Sequence, residues 1–137
     1  GQVPGSEHYR NVMRHDVITH DHILSIRIDE SLYFANAAYL EEIVYDQVAA
    51  HQNLQHVIIM CPAVNTIDLS ALEALGEINL RLIEWGIALH LSEVKGPVMD
   101  ALGRSSFLQQ LSGDVFLSQY VAVAALTTTE NADLAPT

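Results

Sequence analysis

The chain is short of three things. It has one cysteine, Cys61, and only six lysines and arginines against seventeen aspartates and glutamates. It also lacks any apolar run near the ~20 residues that a bilayer-spanning helix needs. A lone cysteine leaves no disulfide framework and fits a reducing compartment. The net charge of -11 argues against nucleic acid or an anionic membrane surface as partner, since both demand clustered positive charge, and suits a basic or cationic partner better. No Gly-x4-Gly-Lys phosphate loop and no Gly-x-Ser-x-Gly turn occur. Ser70, Asp68 and a histidine could be imagined as a triad, yet nothing fixes which histidine would serve. The chain is therefore read as non-enzymatic. No signal peptide is legible. The start at Gly1 leads us to expect a domain of a longer polypeptide.

What is present fits one globular domain. The 137 residues are half hydrophobic, enough to bury a core without disulfides or metal. The organising stretch runs from His56 to Gly86. Val57 to Cys61 is an unbroken apolar run stopped by Pro62, as expected of a strand buried on both faces. After a short loop, Asp68-Leu69-Ser70 opens a long amphipathic helix. A polar turn is thus held at the carboxyl end of a central strand, the edge where open α/β sheets usually place working residues.

The remaining elements follow in order. Gly1 to Ser6 reads as a linker, Tyr9 to Val12 as an edge strand, and His15 to His22 as a hairpin-like turn. Ile23 to Asp29 alternates, with Leu24, Ile26 and Ile28 on one side and Ser25 and Arg27 on a wet side. Ile87 to Leu91 repeats this pattern, with Ala88, His90 and Ser92 as its polar side. A small mixed sheet is expected, with about four to five helices mainly on one face. The first helix starts near Asn36 as N-cap, buries Leu40, Ile43, Val44 and Val48, and ends near His51 to Asn53. The second buries Leu72, Leu75, Ile78, Leu82 and Trp85, with Glu73, Glu77 and Arg81 outward, and Gly86 closes it. Gly76 inside it implies a closely packed neighbour. Pro97 opens a third helix. Phe107, Leu108 and Leu111 form an apolar turn, Val115 to Leu117 a short strand, and Ser118 to Leu126 a last helix. Thr127 to Thr137 reads as a disordered tail. Strands and helices alternating at short separations define an α/β fold with right-handed crossovers.

Four pieces, in order, resemble one family. They are Gly1-Gln2-Val3-Pro4-Gly5 leading to Tyr9-Arg10-Asn11-Val12, the run from Arg27 to Ala37, Ile67-Asp68-Leu69-Ser70-Ala71-Leu72, and Val94-Lys95-Gly96-Pro97-Val98. From about Val3 to Leu126 the chain resembles a STAS domain, the fold of anti-sigma factor antagonists and of the cytoplasmic C-terminal domain of SulP-type anion transporters, and it is closer to the transporter branch. The resemblance implies a regulatory domain, spanning about residues 7–126, beneath the membrane part of a carrier of sulfate, bicarbonate, dicarboxylate or a similar anion. It also implies contacts with the transmembrane domain of the same polypeptide, with acyl carrier protein or another cytosolic regulator, or with a second copy. No cofactor is expected, although some members bind nucleotides, at a place the sequence does not give. In the antagonist branch the serine two residues after the loop aspartate is phosphorylated, and Ser70 holds that position. Ala71, where antagonists often have glycine, and Leu69, in place of a small or polar residue, depart from that pattern. The alternative implied is a free-standing antagonist switched by phosphate on Ser70.

The candidate contact residues are Ser70 with Thr66, Asp68 and Leu69, and Tyr33, Phe34 and Asn36 of the loop expected at the same sheet edge. Ser70 and Glu73 fit a capping box, and Asp68 could itself cap the turn. Tyr33 and Phe34 read first as core or staple residues and, if exposed, as part of an interaction patch. His15-Asp16 and His20-Asp21-His22 suggest a metal cluster, but no closed set of four ligands with zinc-like spacing is present. Cys61 reads as a buried, inert thiol.

Overall fold

The structure is a computed structural model and describes residues 17–20, 22–29, 31 and 34–134. The expected linker and the strand at Tyr9 to Val12 lie outside them. The strands are β1 (Val17–His20), β2 (Ile23–Arg27), β3 (His56–Met60), β4 (Ala88–Ser92) and β5 (Val115–Phe116). The helices are α1 (Phe34–Ala50), α2 (Leu69–Glu84), α3 (Gly96–Arg104), α4 (Phe107–Gln110) and α5 (Gln119–Leu134).

The five strands form one sheet in the order β1-β2-β3-β4-β5. β1 pairs antiparallel with β2, and the other pairs are parallel. The turn expected over His15 to His22 is shorter than that. Residues 17–20 are strand and His20 pairs with Ile23, because the β-branched run Val17-Ile18-Thr19 favours extended backbone.

Each parallel pair is joined through helix, and the strands advance in one direction across the sheet. Crossovers of one hand then place their helices on one face. α1 to α4 cover that face, packing residues such as Leu40, Val44, Leu75, Ile78, Leu82, Leu102 and Phe107 on Leu24, Ile26, Val57, Ile59, Leu89 and Leu91. α5 follows the last strand without a further crossover and lies on the other face, where Ala122 and Leu126 meet Ile23 and Ile58.

This helix overturns the expectation that β2 and β4 each keep a wet face. Ser25, His90 and Ser92 are all buried. Gln119 at the start of α5 bridges two of them, donating from Nε2 to Ser25 Oγ at 2.7 Å and accepting from Ser92 Oγ at 2.9 Å. Burial of these hydroxyls is tolerable because each is hydrogen-bonded. α5 also continues past Leu126 to Leu134, into the segment read as a tail, while residues 135–137 lie outside the described ones.

Smaller differences have local causes. α1 begins at Phe34, so Asn36 lies in its first turn and is not its N-cap; the alanines at 35, 37 and 38 favour helix and carry it further back. Trp85 is 46% exposed rather than part of the buried stripe. It sits at the C-cap of α2, where it meets the Tyr45 ring edge-on at 5.6 Å. Asn79 takes an inward place instead, donating to Gln110 O at 2.8 Å and accepting from Ser112 N at 3.1 Å. Gly76 has no close neighbour, since a Cβ there would meet nothing within 4 Å. Its cost of about 1 kcal/mol relative to alanine is not offset by tight packing among the described residues. Gly86, at φ +74°, ends α2 as expected.

Candidate functional site at the carboxyl edge of the sheet

The loops leaving β2, β3 and β4 meet at one edge and are tied by side chains. Ser31 Oγ, after β2, accepts from the amides of Asn65 at 3.2 Å and Thr66 at 3.3 Å. Lys95, after β4, donates from Nζ to Asn65 Oδ1 at 2.7 Å. The middle loop is therefore held from both sides. The start of the loop Ser31 to Asn36 does lie against the Asp68 loop, as the alternation of strand and helix led us to expect. Tyr33 lies outside the described residues, as do the side chains of Phe34 and Asn36.

The loop after β3 ends in a cap. Asp68 has extended backbone, and its Oδ1 accepts from Ala71 N at 2.8 Å. A carboxylate in that place answers both the unpaired amides and the positive end of the helix dipole. Of the two caps weighed from sequence, the structure forms the aspartate one. The Ser70–Glu73 capping box is corrected, because the helix begins at Leu69 and Ser70 stands in its first turn. The Asp68 carboxylate, a charged acceptor two residues earlier, caps the Ala71 amide, so Ser70 is a helical residue rather than the N-cap.

Ser70 is consequently exposed, as are Thr66 and Leu69, and Leu69 shows 69% of its surface. Beside Ser70 opens a cleft of about 250 Å3 bordered by Ala38 and Glu41 of α1 and by Glu73, Ala74 and Glu77 of α2. Burial, and then the charge of Glu77, raises the Glu41 carboxyl above its ordinary pKa, with Arg81 opposing. The edge therefore offers a hydroxyl, a leucine and a lysine to a partner, and its flank is acidic. A phosphate on Ser70 would gain from the helix N-terminus and lose to Glu73.

Other sequence candidates fall elsewhere. Cys61 is buried and its thiol is pushed up to about 12, chiefly by burial, which leaves it inert at neutral pH. His15, Asp16 and Asp21 lie outside the described residues, and His22 donates from Nδ1 to Asn53 O at 2.9 Å. Among the described residues, no three metal-ligating side chains come together. Sequence reasoning did not single out Asn65 and Lys95, which hold the edge together. Their partners are thirty or more positions away, beyond any local pattern.

The fold and this edge define a class. The family described as STAS domain matches residues 14–122, and the chain belongs to it. Among its relatives, sulfate transporter 3.1 of Arabidopsis thaliana is 33% identical over 91% of this chain and 21% of that protein. The chain spans about a fifth of the length of the curated relatives it matches. In structure it is similar to the SulP transporter STAS domain of Vibrio cholerae, with a TM-score of 0.68 at 18% identity, covering 84% of this chain and 88% of that one. It is also similar to a candidate anti-sigma factor antagonist of Thermotoga maritima, with a TM-score of 0.70 at 15% identity, covering 86% of this chain and 97% of that one. These two likenesses establish the fold alone. No helix among the described residues is long and apolar enough to cross a membrane.

Proposed function

We propose that the chain is the regulatory, non-enzymatic STAS domain of a SulP-type anion transporter, lying on the cytoplasmic face of the membrane. In this reading it contacts the transmembrane domain of its own polypeptide through the edge that carries Thr66, Leu69 and Ser70. The observation that carries this reading is the match of nearly the whole chain to about a fifth of each sulfate transporter relative. Membrane transport then belongs to the other four fifths of such a protein, and this domain supplies contacts. Ser70 serves as a contact position, because its hydroxyl is left open by the Asp68 cap. Replacing Ser70 by Glu in the full-length transporter is expected to change anion uptake with the domain still folded. Normal uptake by that variant at equal surface expression would remove the edge from the regulatory surface.

A second reading is a free-standing antagonist switched by phosphate on Ser70. It is favoured by the exposure of Ser70 in the first turn of α2 and by the 97% coverage of the Thermotoga maritima protein. Immunoblotting of fractionated source cells separates the two. A band far above 15.1 kDa in the membrane pellet supports the transporter reading, and a soluble band near that mass supports the antagonist.

A further inference from the structure

Leu69, Leu72, Gly76 and Leu80 are spaced three, four and four residues apart, which keeps them along one side of α2. With Phe107 of α4 they border an open groove of about 260 Å3. Leu80 is 51% exposed, and Leu69 more so. The middle of this line is a hole, because Gly76 has no side chain and a Cβ placed there would meet nothing within 4 Å. Apolar ridges on either side of an empty position form the receiving half of a knob-into-hole contact. Among the described residues, none supplies the knob.

The rim has a charge as well as a shape. Glu73 and Glu77 border this groove and also the neighbouring cleft, where Glu41 of α1 joins them. The Arg81 guanidinium, one turn further on, lies over the Tyr45 ring at 5.6 Å from its centre. The carboxylates thus share one side of the groove, on a chain of net charge -11. From Leu69 to Leu80 the line covers about 17 Å, or three helical turns.

We propose that the groove between α2 and α4 docks a basic amphipathic helix of another protein. One large apolar side chain of that helix enters above Gly76, and its lysines or arginines lie along Glu73, Glu77 and Glu41. The leucines supply apolar contact area, and the carboxylates set orientation and reject acidic partners.

The test uses the 137-residue chain and two synthetic leucine–lysine peptides of about 14 residues. In one, leucines recur at i, i+3, i+4 and i+7; in the other, the same residues are scrambled. By NMR titration the amphipathic peptide is expected to shift amides on α2 and α4, more weakly as salt is raised. Gly76→Leu fills the hole and should weaken binding at least about tenfold while keeping a dispersed spectrum. Glu73→Lys combined with Glu77→Lys should weaken it by a similar, roughly tenfold, factor, and gives an independent reading if the leucine variant fails to fold. The proposal is overturned if the two peptides bind alike, if shifts map elsewhere, or if neither substitution changes affinity. It is also overturned if nothing binds up to about 1 mM, or if the groove is instead filled by a second copy, seen as concentration-dependent shifts that Gly76→Leu abolishes.

Discussion

At the carboxyl edge of the sheet, Thr66, Leu69 and Ser70 stand open to solvent, whereas Ser25, His90 and Ser92 on the second face are sealed beneath α5 and the segment before β5. Both regions are polar in sequence. At the edge, hydrogen bonds such as Ser31 to Asn65 and Lys95 to Asn65 join loop to loop, while Leu69 and Ser70 beside them stay exposed to a partner. On the second face every hydrogen bond named is internal, and the polar groups exist to let a helix and a turn close over the strands. A polar residue on a strand therefore signals either a partner surface or a buried network, and the covering element decides which.

The strongest way to break the sealed region is Gly113→Ala. A Cβ there would come within 2.3 Å of His90 Nδ1 and 2.4 Å of Leu89 O, and the latter is backbone that cannot step aside. We expect a loss of about 3 kcal/mol or more in denaturant unfolding. A change under about 1 kcal/mol would mean that this turn does not clasp His90.

Acid tests the same region without mutation. His90 Nδ1 accepts from Asp114 N at 3.0 Å, so the neutral ring carries its proton on Nε2 and donates it to His56 Nδ1 at 3.0 Å. Burial first, and then His56, lowers the His90 pKa to about 4, against the pull of Asp114. With the folded value below the unfolded one, the unfolded chain binds more protons between them. Stability is full above about pH 6.5 and falls as the pH drops from there towards 4, by roughly 2 kcal/mol once partial screening is allowed for. His90→Gln should flatten that slope in denaturant melts recorded against pH. An unchanged slope would assign the acid response to other groups.

Gln119→Leu sharpens the comparison, because it removes the bridge while keeping the cover. Two hydroxyls, those of Ser25 and Ser92, lose their partner, for a cost of about 2 kcal/mol. Adding Ser25→Ala and Ser92→Ala should recover most of it in thermal melts. Failure to recover would show that Gln119 holds α5 by some contact other than these two.

The edge should respond least. Asp68→Ala is expected to cost about 1 kcal/mol through the lost cap, and Ser70→Ala less than about 0.5 kcal/mol because its hydroxyl is exposed. If chemical denaturation ranks these two in reverse order, Ser70 rather than Asp68 caps α2.

Much of this fold is written locally. The apolar run Val57 to Cys61, the spacing of Leu75, Ile78 and Leu82, Gly86 at the end of α2 and Pro97 near the start of α3 are set by burial, helical period and backbone chemistry, all legible within a few residues. The location of the candidate edge was legible too, since a strand end leading into Asp68-Leu69-Ser70 has few other meanings in an α/β chain. Its inner geometry was not. Whether Asp68 caps the Ala71 amide or Ser70 caps the Glu73 amide depends on where the helix starts, and a shift of two residues exchanges their roles. Gly76 misled for a related reason: a helix glycine signals close approach only when something approaches, and among the described residues nothing does.

What the sequence determined by itself is the class of fold, the order of its elements, and the strand-to-helix turn that presents Ser70. These rest on periodicities and caps that act over one or two turns of chain. Only the tertiary structure decided that α5 covers the second face, so that Ser25 and Ser92 meet Gln119. It alone decided that Lys95 holds Asn65, and that Gly76 faces an opening rather than a neighbour. Those outcomes join residues separated by tens of positions. Their energies come from desolvation and hydrogen bonding at contacts that exist only once the sheet has formed.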